Sequence, residues 1–367
     1  MLYEPLVFRN GVRARNRTWL APMTNQMSHA DGSLSDDELR WLEMRARGGF
    51  GVIETCAAHV SLDGQAWPGE LGVYDDRLLP GMRRLACALG AAGALGIVQL
   101  FHGGVRASSQ LTGEQTWSAS AIEGARDATA NDIARVISRF RDAAVRCHAA
   151  GFHGIELHGA HGFLFTQFLS TTMNRRGDQW GGTLEGRARL LRDTMRAVRA
   201  AVPPSFVVGV RLSPEDHGNA KGIDLDESVE VARWLCDDGA DFIHLSLWDW
   251  RDNTRKRSDL HAVSLFRSAL ARDVAIVAAG GVWTREDAEA LLDKGASAVA
   301  IGRAAIANPE WAANAAIAGW APRRPPLTKA ELLERGLSPG FVEYMRNWKS
   351  FVAQPSREAT TSPQALR

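Results

Sequence analysis

Short runs of apolar residues recur along the chain, and segments with helical periodicity lie between them. The apolar runs predict eight strands, at 17–23, 50–56, 95–100, 154–158, 206–212, 240–246, 274–280 and 297–302. Several runs are apolar at nearly every position, which is typical of parallel strands that are covered on both faces. The segments 131–151 and 226–240 are examples of the helical pattern that separates them.

This alternation of strand and helix predicts one α/β domain, a (β/α)8 barrel of the TIM type. Gly151, Gly239 and Gly295 stand where a helix has to end before the next strand begins. Thr284 and Asp287 have approximately the spacing of a capping box for the seventh helix. A doubly wound parallel sheet is the alternative fold, but no GxGxxG pattern follows the first strand.

The two ends of the chain are expected to frame the barrel. An Asn10-Gly11 turn predicts a hairpin that closes the bottom of the barrel. We predict that residues 1–320 form the barrel domain. Residues 321–367 are predicted to form a C-terminal extension that packs on the barrel or on a neighbouring subunit, and we expect a homo-oligomer.

Composition and charge restrict the partners of this domain. The 367 residues are 45% hydrophobic and 23% charged, and Lys+Arg 43 against Asp+Glu 42 leaves a net charge of +1. This balance gives no electrostatic footprint for nucleic acid. No signal-peptide pattern or membrane-length apolar run occurs, so we expect a cytoplasmic protein with no membrane partner. The four scattered cysteines form no CxxC pair and are predicted to be buried thiols in a reducing compartment.

Polar residues gather where the predicted strands end, which is the active-site face of a barrel. They are Thr24, Gln99, His102, His158, His161, Arg211 and the pair Gly302-Arg303. Gly280 and Gly281 after the seventh strand, with Gly302 and Arg303 after the eighth, predict a phosphate site. Glycines let backbone N–H groups approach a phosphate, and an arginine adds a bidentate charge. The alternative is that these glycines only turn the chain.

Two further residues indicate what the phosphate belongs to. Gln99 can donate and accept hydrogen bonds along the pyrimidine edge of a flavin, and Arg211 can offset the negative charge that gathers there on reduction. A phosphorylated planar cofactor therefore suits this set of residues.

His158 and His161 lie three residues apart at the end of the fourth strand. Two imidazoles in this place can bind a metal, move a proton or hold an anion. A metal needs a third ligand, which His102 could supply. No Asp or Glu in the same turn completes a common catalytic set, so we predict no metal.

The segment HGAHGFLFTQFLSTTMNRRGDQWGGTLEGRARL (158–190) closely resembles the signature of the old yellow enzyme family of FMN-dependent reductases. Further matches are APMT (21–24), RARGGFGVI (45–53), QLFHGG (99–104), VRLSPED (210–216), AAGGV (278–282) and AIGRAAIANP (300–309). The resemblance covers nearly the whole chain. It implies an FMN-binding barrel that takes hydride from NADH or NADPH and passes it to a small-molecule substrate.

The resemblance also implies roles for single residues. The implied FMN contacts are Pro22, Met23, Thr24, Ala57, Gln99, Arg211, Gly280, Gly281, Gly302 and Arg303. His158 and His161 would donate hydrogen bonds to a carbonyl or nitro oxygen of the substrate and stabilise the charge that develops there. We also predict a substrate pocket that includes Gln26, His102, Phe163 and Trp248.

Phe163 departs from the family pattern, which normally has at this position a tyrosine that protonates the substrate α-carbon. Either water or another residue donates the proton, or the reaction needs none. We therefore predict reduction of an activated alkene or a nitro compound, with an FMN-dependent dehydrogenase or demethylase as the alternative. A flavoprotein acting on tRNA is disfavoured by the net charge of +1. A flavin-free lyase is disfavoured because no lysine stands at a strand end.

Overall fold

The computed structural model describes residues 1–122 and 124–354, and its centre is a closed barrel of eight parallel strands. The strands are β1 (Thr18–Leu20), β2 (Val52–His59), β3 (Leu95–Phe101), β4 (Gly154–Gly159), β5 (Val207–Leu212), β6 (Phe242–Ser246), β7 (Ala275–Ala279) and β8 (Ala298–Ile301). Each strand pairs with the next, and β8 pairs with β1 to close the barrel. The predicted (β/α)8 fold is confirmed.

Two strand boundaries differ from the prediction for identifiable reasons. The prediction carried the first strand to position 23, but β1 ends at Leu20, two residues before Pro22, which has no N–H for the ladder. The prediction ended the second strand at 56, whereas β2 continues to His59. A register shift between Glu54 and Ala57 interrupts its pairing with β3, and the pairing then resumes.

Seven helices of eight or more residues in the described ranges follow the first seven strands. They are α1 (Asp36–Arg47), α2 (Leu79–Ala91), α3 (Ala130–Ala149), α4 (Leu184–Ala201), α5 (Leu225–Asp237), α6 (Ala262–Ala269) and α7 (Arg285–Asp293). Gly151, Gly239 and Gly295 follow α3, α5 and α7 with φ of 91°, 109° and 105°, as predicted for residues that end a helix. The capping box of Thr284 and Asp287 at α7 is also confirmed.

A hairpin closes the end of the barrel opposite the predicted site. Its strands, Leu6–Val7 and Arg13–Ala14, pair antiparallel around the predicted Asn10-Gly11 turn. Phe8 packs on Trp19 of β1 and on Phe242 of β6, with ring centroids 6.3 Å and 6.0 Å apart. This aromatic cluster fills the bottom of the barrel and leaves the opposite end for ligands.

Shorter elements build the loops and the C-terminal segment. The loops contain the turns and short helices Leu62–Gly64, Asp76–Leu78, Gly104–Arg106, Ser109–Thr112 and Leu164–Leu169, and the short strands Leu71–Gly72, Trp117–Ser118 and Arg126–Asp127. After β8 come the helices Arg303–Ala307, Trp311–Asn314, Lys329–Glu334 and Pro339–Met345. Phe341 of the last helix packs on Trp41 of α1, with ring centroids 5.7 Å apart, so this segment rests on the barrel. Residues 355–367 of the predicted extension lie outside the described residues.

The cysteines are only partly as predicted. Cys56 and Cys147 are buried, but Cys87 is exposed and Cys236 is half-buried, because these two lie away from the buried faces of α2 and α5. Within residues 1–122 and 124–354, no helix combines the length and apolar character needed to cross a membrane.

Candidate active site

A cavity of about 740 Å³ lies at the carboxyl ends of the barrel strands, within the size range of small-molecule sites. It brings together many of the residues that the sequence singled out. They are Pro22, Met23, Thr24, His161, Arg211, Trp248, Gly280, Gly281, Gly302 and Arg303. The loops after β1, β4, β6, β7 and β8 contribute to its wall, and β5 contributes Arg211.

The glycines at one end of this cavity keep the backbone open beside an arginine. Gly281 has φ of 72°, and a side-chain carbon added there would stand 3.9 Å from Nη2 of Arg303. Gly280 leaves no room for a side chain, because an added carbon would come within 2.8 Å of Cβ of Leu247. This open backbone beside a guanidinium could hold a phosphate.

Sequence reasoning missed other cations at this end of the cavity. Arg324 lines it from the C-terminal segment, and its guanidinium lies 5.0 Å from the centre of the Trp283 ring. Arg251 also lines it and pairs with Asp249. Nothing local in the sequence APRRPP around Arg324 ties that residue to the barrel, so its position depends on tertiary packing.

Arg211 projects from β5 at the floor of the cavity. Its Nη2 donates to Oγ of Ser246 over 3.2 Å, while its Nε is buried and has no hydrogen-bond partner among the residues that the structure describes. A buried donor without a partner is costly, and an acceptor on a bound ligand would satisfy it. This donor fits the flavin edge that the sequence suggested.

Gln99 belongs to a polar network inside the barrel that sequence reasoning missed. Nε2 of Gln99 donates to Glu156 over 2.7 Å, and Glu156 pairs with Nδ1 of His244 over 2.7 Å. Glu54 accepts a hydrogen bond from Nε1 of Trp19 over 2.8 Å and lies 3.8 Å from His244. The available signal was one glutamate or histidine inside each of three largely apolar strands, IETC, GIEL and FIHLS.

The pKa values of the two carboxyl groups of this network are shifted in opposite directions. Burial raises the pKa of Glu54 well above its usual range, and the neighbouring Glu156 raises it further. Burial also acts to raise the pKa of Glu156, but His244 and Arg211 outweigh it, so that pKa is lowered. Glu54, Glu156 and His244 have side chains of the kinds that bind metals, and they lie close enough together to share one ion. However, one carboxylate oxygen of Glu54 already accepts a hydrogen bond from Trp19, and one of Glu156 accepts from Gln99.

His158 and His161 stand side by side above this network, with ring centroids 5.0 Å apart and planes at 89°. The backbone N–H of Ala160 donates to Nδ1 of His158 over 3.4 Å, so a neutral His158 carries its proton on Nε2. Nε2 of His161 lies 2.6 Å from Oγ of Ser246. His161 has φ of 63°, an uncommon conformation for a residue with a side chain.

Both imidazoles are neutral at neutral pH. Burial lowers the pKa of His158 well below its usual range, and His161 and Arg211 lower it further. Burial likewise lowers the pKa of His161, with Arg211 and Arg106 as the next causes. Each ring therefore presents one N–H and one acceptor nitrogen.

Phe163 is buried next to this pair. Its ring centroid lies 5.1 Å from that of His158 and 4.5 Å from that of Phe101, and it shares a small apolar cluster with Ala57. The Arg106 guanidinium lies over the Phe163 ring and also donates to the backbone oxygen of His161 over 2.6 Å. Ala57 itself pairs with Gln99 between β2 and β3.

Three predicted substrate residues have different surroundings. His102 packs on Trp117 with ring centroids 4.8 Å apart and lies 3.6 Å from a carboxylate oxygen of Asp63, and it is not among the residues that line the cavity. Gln26 has φ of 54° and its backbone lies against Gly69. Trp248 lines the cavity but is 69% exposed.

The C-terminal segment contributes a wall that sequence reasoning missed. Tyr344, Met345 and Trp348 line the cavity from the helix Pro339–Met345 and the turn after it. These residues lie far along the chain from the residues at the strand ends. No local motif marks them, so the sequence carries no signal for this contact.

Known proteins match this chain over most of its length. Residues 1–318 match the NADH:flavin oxidoreductase / NADH oxidase family. The chain is 33% identical over 322 residues to the "Probable NADH-dependent flavin oxidoreductase YqiG" of Bacillus subtilis (strain 168), which covers 84% of this chain and 86% of that protein. It is also 33% identical to the NADH:acrylate oxidoreductase of Vibrio harveyi, over 85% of this chain but 32% of that longer protein.

A solved structure agrees with these relatives. The old yellow enzyme homologue from Zymomonas mobilis superimposes with a TM-score of 0.79 and 26% identity, over 93% of this chain and 98% of that chain. The resemblance that the motifs indicated is confirmed, and so are FMN as the cofactor and NADH or NADPH as the hydride donor. The chain belongs to the NADH:flavin oxidoreductase / NADH oxidase family and is an oxidoreductase of the old yellow enzyme type.

Proposed function

We propose that this oxidoreductase reduces an activated alkene, such as an enone, or a nitro compound. The observation that carries the proposal is the pair of neutral imidazoles, His158 and His161, set 5.0 Å apart beside the cavity. Two N–H donors can bind one carbonyl or nitro oxygen and stabilise the negative charge that develops on it. A neutral donor suits this task because it needs no counter-charge in a buried site.

We also propose which residues hold the cofactor. The unpartnered Nε of Arg211 and the amide of Gln99 would bind the pyrimidine edge of FMN, and Pro22, Met23, Thr24 and Ala57 would lie along its ring system. The open backbone at Gly280, Gly281 and Gly302, with Arg303, would bind its phosphate. FMN bound in this way supplies the hydride, and the chain binds and orients the acceptor.

The division of the chain follows from these roles. We propose residues 1–320 as the FMN-binding barrel and residues 321–367 as an extension that completes the cavity wall, where Tyr344 and Trp348 lie. A homo-oligomer in which the extension also meets a neighbouring subunit remains part of this proposal.

Phe163 favours a second candidate function. A phenylalanine has no proton to give, and a dehydrogenase or demethylase that removes hydride from its substrate needs no proton at an α-carbon. The burial of Phe163 against Phe101 and His158 is compatible with either function.

Anaerobic mixing of the NAD(P)H-reduced protein with enones, nitro compounds and amines separates the two. We expect enones or nitroalkenes to restore the spectrum of oxidised FMN, and we expect amines not to reduce the oxidised protein. His161→Ala should slow the reoxidation, while His29→Ala, at an exposed position outside the cavity, serves as the control. Reduction of the oxidised protein by amines, together with no reoxidation by any alkene or nitro compound, would support the second candidate.

A further inference from the structure

We propose that Tyr344, from the C-terminal extension, is the proton donor of the alkene reduction. The proposal deepens the proposed function and rests on it. It assigns to a residue near the end of the described chain the step that Phe163 cannot perform.

Saturating an alkene requires a hydride at one carbon and a proton at the other. FMN and NAD(P)H supply the hydride and its two electrons. In the proposed step, the O–H bond of Tyr344 breaks and a C–H bond forms at the α-carbon, using the electron pair of the enolate. The phenolate then regains a proton from solvent at the mouth of the cavity, so the alkene gains one hydride and one proton overall, which is two electrons and two hydrogen nuclei.

The other ionisable groups around the cavity are poor proton donors. His158 and His161 are neutral because burial lowers their pKa, and Arg211 is a guanidinium without an acidic proton at neutral pH. Asp249 is paired with Arg251 at the phosphate end.

The remaining carboxylate in the wall is Asp287, which accepts from the backbone N–H groups of Trp283 and Thr284 at the start of α7. The histidines and Arg211 are proposed to bind ligands, and Asp287 caps the start of α7. Tyr344 is left as the acid.

Tyr344 is the one tyrosine of the chain that lines the cavity. The other two tyrosines are Tyr3 and Tyr74. The hydroxyl of Tyr3 donates to the backbone oxygen of Ala312 over 3.1 Å, and the hydroxyl of Tyr74 donates to the backbone oxygen of Asp31 over 2.8 Å. Both hydroxyls are therefore engaged in the scaffold.

The surroundings of Tyr344 suit a proton donor. Burial raises the pKa of its phenol, so it is protonated at neutral pH, while the Thr24 hydroxyl and the Arg106 guanidinium oppose that rise and would stabilise the phenolate. Trp348 packs edge-on against its ring, with centroids 5.0 Å apart, and fixes its orientation. Tyr344 lines the cavity together with Thr24 and His161, which places its side chain in the same cavity wall as one of the two imidazoles.

Stopped-flow oxidation of the reduced protein by an enone tests the assignment. Tyr344→Phe should slow this step on the order of 10²–10⁴-fold, the usual contribution of a general acid, and should leave FMN binding and reduction by NAD(P)H unchanged. Tyr3→Phe removes the same atom outside the cavity and should keep the wild-type rate. Adding Phe163→Tyr to Tyr344→Phe should restore part of the lost rate.

A second measurement does not depend on turnover. Labelling with tyrosine enriched in ¹³C at Cζ gives three signals, because the chain has three tyrosines, and Tyr344→Phe identifies one of them. We expect FMN binding to shift the Tyr344 signal and to leave the signals of Tyr3 and Tyr74 in place. An unchanged Tyr344 signal would overturn the assignment, because its phenol would not face the cofactor.

The kinetic outcomes separate the two proposals. If enones rapidly oxidise wild type and Tyr344→Phe at equal rates, the role of Tyr344 is wrong and the proposed function stands. If NAD(P)H reduces the wild-type flavin but no enone reoxidises it, alkene reduction is wrong and the role of Tyr344 falls with it.

Discussion

The guanidinium of Arg106 lies 4.2 Å from the centre of the Phe163 ring. A cation over an aromatic face is a stabilising contact, and Arg106 extends it by donating to the backbone oxygen of His161. The loop after β3 therefore holds the turn that carries the two imidazoles. Phe163 supports that turn by packing, whatever its chemistry.

Phe163→Tyr should change enone reduction little in the wild-type background, because Tyr344 already supplies the proton. The nitroalkene rate should change even less, since hydride addition to a nitroalkene leaves a stabilised anion. Stopped-flow traces with one enone and one nitroalkene measure both rates. An acceleration on the order of 10²–10⁴-fold with the enone would mean that wild type lacks a positioned acid, and that our reading of Tyr344 is wrong.

Arg303→Ala should weaken FMN retention more than it alters the spectrum of bound FMN, because the phosphate end is far from the ring system. A hydrogen bond to a charged group contributes about 1.5–3 kcal/mol, so the dissociation constant should rise ~10- to 100-fold. Fluorescence titration of the apoprotein measures it. Arg285→Ala on α7 is the matched control, since Arg285 pairs with Glu289. A colourless wild type that added FMN does not restore would contradict the site.

Phenols should bind to the oxidised protein and give a long-wavelength charge-transfer band, because a phenolate would accept hydrogen bonds from His158 and His161 over the flavin. His161→Ala should weaken binding by ~1.5–3 kcal/mol. A spectral titration of both proteins gives the two constants. Stoichiometric zinc in the purified protein, with activity lost to a chelator, would instead support the metal alternative.

Folding stability should fall as the pH drops below the usual histidine pKa. His158 and His161 have lowered pKa values in the folded chain, so the unfolded chain binds more protons between that lowered pKa and about pH 6.5. In this range each of the two histidines lowers the free energy of unfolding by up to about 1.4 kcal/mol for each pH unit of acidification. This loss of stability ends once the histidine of the folded chain is also protonated. Urea unfolding between about pH 5 and pH 8 measures the slope.

The double variant His158→Asn, His161→Asn should flatten this dependence. His29→Asn at an exposed position is its control and should keep the wild-type slope. A slope that the double variant leaves intact would show that other groups set the acid sensitivity.

The fold was predictable because its signals are local. Apolar runs mark buried strands, Asn10-Gly11 marks the hairpin, and Gly151 marks the end of α3. The strand errors came from Pro22, which ends β1 early, and from the bulge after Glu54, which periodicity does not reveal.

The candidate site was predictable where it lies at strand ends. Arg211 and Gly281 follow from barrel topology, because carboxyl ends of parallel strands meet at one face. Tyr344 and Arg324 do not, since their place depends on how a segment beyond the barrel folds back over the cavity. Glu54 was missed because its role depends on Glu156, which lies on a different strand and is brought close to Glu54 only by the barrel fold.

Ser246 touches two functions at once. Its hydroxyl accepts from Arg211 over 3.2 Å and lies 2.6 Å from Nε2 of His161. The residue proposed to sense the charge of the cofactor and the residue proposed to grip the acceptor therefore share one oxygen. Replacing Ser246 would therefore alter the hydrogen bonding of Arg211 and of His161 at once.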